Sequence, residues 1–279
     1  WASLFFKCEN FQKTGAFKFR GATNAVELLG EPERGVATHS SGNHGAALAA
    51  AARARGIPAH IVVPENATAV KLAAVEHYGG QVVFCEPTLE ARETTLERVV
   101  AETGAFFVPP FDHPHIIAGQ GTASLELLEA VDGLDAVIAP VGGGGLVSGT
   151  GITIKGLRPE AEVFAAEPEQ ADDAARSFLS GKIEPANSNT IADGLLTSLG
   201  PLTFQAIRET VTDVITVSEA EIVTALRAVW ERMKIVIEPS SAVPVAAALK
   251  DERFKGKRVG VILTGGNVDL KGLVKILAD

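Results

Sequence analysis

Residues 16–21 read AFKFRG and set Lys18 between Phe17 and Phe19. Apolar surroundings disfavour the ammonium form of a lysine, and the neutral amine that results is a nucleophile toward carbonyl groups. A second stretch, PVGGGGLVSGTG (140–151), runs from an apolar strand pattern through Gly142, Gly143, Gly144 and Gly145 into a helical pattern. Successive glycines let backbone N–H groups converge on an anion at a helix N-terminus. Neither GxGxxG nor GK[ST] fits this stretch, which argues against a dinucleotide fold and a P-loop and suits a phosphorylated cofactor other than a nucleotide. A third, THSSGNHGAALAAAA (38–52), brings Ser40, Ser41, Asn43 and His44 to the start of a helix, a set suited to a carboxylate. A fourth, VGVILTGGNVDL (259–270), delivers Thr264 at the end of an apolar strand, where open α/β sheets bind ligands. In AEPEQADDA (166–174), Glu167 and Asp173 follow a strand, a pattern that ordinarily forms a solvated turn.

The elements that must position these groups alternate. Strand patterns occur at 35–40, 59–64, 81–86, 105–110, 135–141, 162–168, 213–217 and 258–264. Helical patterns fill 45–54, 68–78, 89–103, 117–131 and 218–233, the last opening on a Ser218/Glu221 capping box. Such alternation predicts an α/β fold of parallel-rich twisted sheets covered by helices. The 279 residues carry a net charge of -9, which argues against a nucleic-acid partner. Two cysteines without a CxxC point away from a zinc or disulfide framework and toward a reducing cytoplasm. No apolar run is long enough to span a membrane.

Taken together, FQKTGAFKFRGA, SSGNHG, PVGGGG, AEPEQADD, TIADG and LTGGNVDL resemble, in order and over essentially the whole chain, the fold type II pyridoxal-phosphate enzymes. Within that tryptophan synthase β-like class the pattern is most similar to the serine/threonine dehydratases and serine racemases. The resemblance implies pyridoxal 5′-phosphate (PLP) as cofactor and Lys18 as the Schiff-base lysine that moves protons at the substrate Cα. Phe17 would lie near the ring, Gly142–Gly145 would cup the phosphate, Asn43 would bond the 3′-oxygen, and Thr264 would meet the pyridine nitrogen. A neutral hydroxyl there favours a protonated ring less than a carboxylate would, so a weaker electron sink and an elimination chemistry are expected.

The same resemblance makes Ser40, Ser41, Asn43 and His44 the substrate-carboxylate loop, with Ser41 as a second acid/base on the opposite ring face. It turns Glu167, the Ala171 carbonyl and Asp173 into a site for Mg²⁺, Mn²⁺ or Ca²⁺. It implies a large domain of residues 1–34 and 113–279, a small domain of 35–112, and a homodimer. Residues upstream of Trp1 are expected by the same comparison. The PFD pattern at 110–112 is similar to threonine dehydratases, whereas mammalian-type serine racemases carry Asn in place of Phe111. Ala46 stands where nucleotide-activated racemases have Gln, so activation by ATP is not expected, nor is isoleucine feedback in a chain ending at Asp279. The expectation is therefore dehydration and deamination of L-threonine and L-serine to 2-oxo acid and ammonia. Serine racemase and threo-3-hydroxyaspartate dehydratase are the alternatives, each acting on a small hydroxy-amino acid.

Overall fold

The computed structural model describes residues 1–40, 42–67, 69–186 and 189–278, and the chain divides into two compact units. The larger comprises Trp1–Phe17 and Gln120–Asp279, the smaller Lys18–Gly119. Among the described residues the strands are β1 (Ser3–Cys8), β2 (Val36–His39), β3 (Ala59–Pro64), β4 (Gln81–Cys85) and β5 (Phe106–Phe107), then β6 (Ala136–Pro140), β7 (Glu162–Pro168), β8 (Asp213–Val217) and β9 (Arg258–Leu263). The helices begin with α1 (Lys18–Glu27), α2 (Asn43–Arg55), α3 (Ala69–His77), α4 (Leu89–Thr103) and α5 (Pro114–Ala130). They continue with α6 (Gly145–Leu157), α7 (Asp173–Ser180), α8 (Pro201–Thr210), α9 (Glu219–Ala228), α10 (Pro239–Lys250) and α11 (Leu270–Ala278).

In the larger unit a wholly parallel sheet runs in the order β1-β9-β6-β7-β8. Its central strands alternate sides with period two. Ile138, Phe164 and Val261 pack with α9 and α10 residues in one cluster, while Val137, Val163 and Ile262 pack with α6 and α8 residues in another. Strands buried on both faces need Val, Ile and Ala at every position, which is why these runs lack a polar alternation. In the smaller unit the parallel order is β4-β3-β2-β5. There Val36, Ile61 and Val63 pack with Leu48 and Ile116, and Ala37 and Val62 with Leu96 and Val99 on the other face.

The α/β class with parallel sheets stands as expected. The division of the chain differs from the expected one at both ends. The units part at residues 17/18 and 119/120, where the sequence suggests 34/35 and 112/113, because α1 buries Ala22, Ala25 and Val26 in the smaller core. β5 covers only two residues of the 105–110 pattern, since Pro109 and Pro110 have no N–H to continue the ladder. The expected patterns leave out β1, α1, α7, α8, α10 and α11, and two of these have a clear physical reason. β1 pairs with β9 through the LFF run, and α10 is buried along nearly its whole length with Pro244 inside it, so it shows neither amphipathic spacing nor a proline-free interior. The Ser218/Glu221 capping box forms, and α9 then passes into a π turn over Val229–Met233. No helix among the described residues is long and apolar enough to cross a membrane.

Candidate active site

Lys18 is the first residue of α1, and its Nζ donates to the Pro110 carbonyl at 2.7 Å. The flanking aromatics explain the segment's composition. Phe17 packs against the larger unit's cluster around Val137 and Ile262, and Phe19 against the smaller unit's cluster around Leu48. Just upstream, the Phe17 N–H donates to the Thr264 carbonyl at 2.9 Å and Ala16 bridges Gly265. Gly15 has φ +73°, and a Cβ there would sit 2.5 Å from Asn267 Oδ1. Asn267 in turn donates to the Thr14 carbonyl at 2.8 Å. The strand end that carries Thr264 thus fixes the backbone leading into Lys18.

The tetraglycine is a buried turn between β6 and α6. Gly144 is the N-cap of α6 in the left-handed region, φ +88°, and no side-chain cap is made there among the described residues. A Cβ on Gly144 would lie 2.8 Å from Thr203 Cβ, and one on Gly142 2.9 Å from Leu195 Cα. Thr203, at the start of α8, donates to the Gly143 carbonyl at 2.8 Å and so braces the turn from outside. An uncapped, buried helix start directs N–H groups and the positive end of the helix dipole to one spot, and a phosphate suits it. Thr264 is buried at the end of β9, with its Oγ1 2.9 Å from Ser241 Oγ on α10. The residues present on this unit therefore fit PLP.

In the smaller unit, Ser40 follows β2, its Oγ accepts from the Gly42 N–H at 3.3 Å, and α2 opens at Asn43 with no side-chain cap among the described residues. Gly45 is required because a Cβ would stand 2.3 Å from the Ser40 carbonyl. Ser41 lies outside the described residues. His44 is 2% exposed, and its Nε2 is 3.0 Å from the Val108 carbonyl. A carbonyl only accepts, so Nε2 bears the proton and Nδ1 is the bare nitrogen, buried with no partner among the described residues. Burial first, then the Lys18 charge, push its pKa down to about 3. The ring thus anchors the 108–110 loop that also receives Lys18. At this helix start the expected carboxylate clamp has Ser40, Asn43 and backbone N–H groups to draw on.

Glu167 and Asp173 are not a solvated turn: they are 1% and 2% exposed. Glu167 accepts from the Ala174 and Ala175 N–H groups at 3.0 and 2.7 Å, in the first turn of α7, while burial, reinforced by Asp173, pushes its carboxyl up to about 8. Burial also raises Asp173 to about 6, and its Oδ2 has no partner among the described residues. No group of three or more His, Cys, Asp or Glu gathers for a metal among those residues. Two buried carboxyls with an orphan oxygen still fit a hard cation that takes carbonyls or waters for its other ligands.

Sequence reasoning did not find Ser241, Thr203 or Asn267. Each acts across a large sequence separation, and each is of a type common in turns and caps, so no local signal marks it.

Residues 2–265 match the family described as "Pyridoxal-phosphate dependent enzyme", and the chain belongs to that family. It is 56% identical to a beta-hydroxyaspartate dehydratase of Paracoccus denitrificans over 98% of this chain and 88% of that protein. It is also 56% identical to a serine racemase of Dictyostelium discoideum over 98% of this chain and 87% of that protein; the crystal structure of that organism's serine racemase superposes with a TM-score of 0.92, covering 96% of this chain and 89% of that one. A threonine deaminase from T.th. superposes with a TM-score of 0.91 at 42% identity, covering 96% of this chain and 89% of that one.

Two outcomes follow. His44 stays neutral in the folded protein while an unfolded histidine titrates near 6.5, so the unfolded state binds the extra proton first as pH falls. Stability from this residue is complete above pH 6.5 and declines by about 1.4 kcal/mol per pH unit below it, toward pH 3. Denaturant melts from pH 7.5 to 5 should show a shallower decline for His44→Gln, which keeps a donor for Val108; parallel curves would refute the neutral assignment. Secondly, millimolar Mg²⁺, Mn²⁺ or Ca²⁺ should raise the Tm, by roughly 2–4 °C for each kcal/mol of linkage. The same addition should leave Asp173→Asn unmoved, and equal shifts in both proteins would remove the cation from this site.

Proposed function

We propose that this protein is a PLP-dependent dehydratase of 3-hydroxyaspartate-type amino acids. When bound, PLP draws electron density from the substrate Cα, which acidifies its C–H bond and lets a β-substituent leave. The backbone N–H groups of Gly142, Gly143, Gly144 and Gly145 would hold the phosphate, Asn43 the 3′-oxygen and Thr264 the ring nitrogen. Ser40, Asn43 and the α2 N–H groups would hold the substrate carboxylate. Lys18 would hold the cofactor, and its free amine would take the substrate Cα proton; the bonding pair would become the Cα–Cβ double bond as the Cβ–O bond breaks. The departing hydroxyl takes a proton, which the new Lys18 ammonium can supply, and leaves as water. By the family resemblance, Ser41 would act as a second acid/base that returns a proton to Cα and so permits some racemisation. Glu167, Asp173 and the Ala171 carbonyl would hold a divalent cation that stabilises the β7–α7 turn. Two free thiols, Cys8 and Cys85, accord with a reducing cytoplasm.

The choice of substrate departs from the L-threonine and L-serine expected from the PFD pattern. The threonine deaminase stands at 42% identity, whereas the hydroxyaspartate dehydratase stands at 56% over nearly the whole chain. Hydroxyaspartate differs from serine by a carboxylate on Cβ and needs a donor for it. The observation that carries the reading is His113, in the loop that receives Lys18. Its Nδ1 accepts from the His115 N–H at 3.2 Å, so the neutral ring keeps its proton on Nε2. Burial, then neighbouring His115, lower its pKa despite Asp112, which keeps it a neutral donor. Serine racemisation is the second reading, favoured by the equally similar Dictyostelium relative.

Steady-state assays with threo-3-hydroxyaspartate, L-serine and L-threonine, reading 2-oxo acid and D-serine, separate these. The proposal expects the highest kcat/KM for hydroxyaspartate. It expects His113→Leu to lower that value about 10- to 100-fold while leaving serine nearly unchanged. D-Serine as the main product from L-serine, with hydroxyaspartate inert, would transfer the assignment to the racemase.

A further inference from the structure

A peptide unit flanked by two glycines turns over easily, because neither neighbour has a Cβ to oppose the rotation. The Gly143–Gly144 unit, in the turn between β6 and α6, is of this kind. A trans peptide points its C=O and its N–H to opposite sides. One orientation therefore presents the Gly144 N–H to whatever lies at the start of α6, and the other presents the Gly143 carbonyl. The first attracts an anion and the second repels it. Both glycines are buried, and the Gly143 carbonyl accepts from Thr203 Oγ1 at 2.8 Å. Thr203 is fully buried on the first turn of α8. Its hydroxyl accepts the Gly200 N–H at 3.0 Å. The Gly200 carbonyl, 3.1 Å away, already accepts the Phe204 N–H at 2.8 Å, so the Thr203 proton goes to the shorter contact with Gly143. Helix α6 holds the threonine in return, since Ser148 Oγ donates to the Thr203 carbonyl at 3.2 Å. A Cβ on Gly144 would stand 2.8 Å from Thr203 Cβ, so the glycine admits the threonine to this position.

We propose that Thr203 is a positioning residue for the cofactor phosphate: by holding the Gly143 carbonyl toward α8, it commits the Gly144 N–H to the anion at the start of α6. The inference rests on the reading above in which Gly142–Gly145 hold the PLP phosphate. A buried carbonyl deprived of its donor carries a desolvation cost, and rotating the peptide unit is the response that two glycines leave open. The rotated unit would set a carbonyl oxygen against the phosphate and withdraw an N–H from it. Thr203 acts only through Gly143, so its effect follows the negative charge on the ligand. A ligand with the same ring and aldehyde but no phosphate has nothing to gain from it.

The test is equilibrium dialysis of the full chain against PLP and, separately, against pyridoxal, which lacks the phosphate. The wild-type protein should bind PLP the more tightly. Thr203→Val keeps the branched shape beside Gly144 and loses the hydroxyl. It should weaken PLP about 10-fold, the loss expected when a hydrogen bond to a charged group is compromised, and leave pyridoxal nearly unchanged. Thr203→Ser restores the hydroxyl and should restore the preference; a folded serine variant without it would contradict the proposal. General damage to the site lowers both affinities together, and that outcome overturns the role of Thr203. So does a PLP preference that survives intact in Thr203→Val, while leaving the phosphate at the tetraglycine. Thr203→Ala is read in the same way where the valine variant fails to fold. A wild-type protein that binds both ligands alike removes the phosphate from Gly142–Gly145, and this proposal with it, without any variant.

Discussion

The proposed site depends first on how four residues, Ala16 to Phe19, are held. Phe17 is committed to the core behind β6 and β9, and Phe19 to the core of the smaller unit. A shift of the chain here would withdraw Phe17 or Phe19 from its cluster, at a cost below the roughly 1.5–3 kcal/mol of a fully buried side chain because both rings are partly buried. The amine donates to the Pro110 carbonyl, in a loop that His44 holds through the Val108 carbonyl. A proline carbonyl and a histidine that burial keeps neutral near pH 7 suit that task, since neither places an anion beside the amine. The apolar residues beside Lys18 therefore act as anchors for its backbone.

The same economy governs the binding groups. The helix starts at Gly144 and Gly42 are left without side-chain caps among the described residues, although capping stabilises a helix by about 1 kcal/mol. Stability given up there is available as affinity for an anion, and the glycines keep the approach open. Where the protein does satisfy its polar groups, around Thr203 and Ser241, the side chains brace a turn or a strand end from behind. In the proposed site the ligand-facing groups would be backbone N–H groups and small hydroxyls, while the side chains that fix their geometry lie one layer deeper.

That layering sets what the sequence could reveal. A run of glycines after an apolar strand, or Ser, Asn and His at a helix start, announces its role because few other structural needs put those residues together. The strand and helix alternation was legible for the same reason, and every expected strand except that at 105–110 appears within a residue of its expected ends. The supporting layer was not. Ser241 meets Thr264 across 23 positions, and Thr203 meets Gly143 across 60, with only ordinary serine and threonine to show for it. Helix α10 hid itself by being apolar all round and containing Pro244.

The claim on which the rest stands is that Lys18 holds the cofactor. Borohydride reduction of the protein reconstituted with pyridoxal phosphate, followed by proteolysis and mass analysis of the peptides, measures it directly. The account predicts a pyridoxyl mass on Lys18, and no stoichiometric adduct anywhere in Lys18→Ala. An adduct on another lysine, or none in the intact protein, would contradict it.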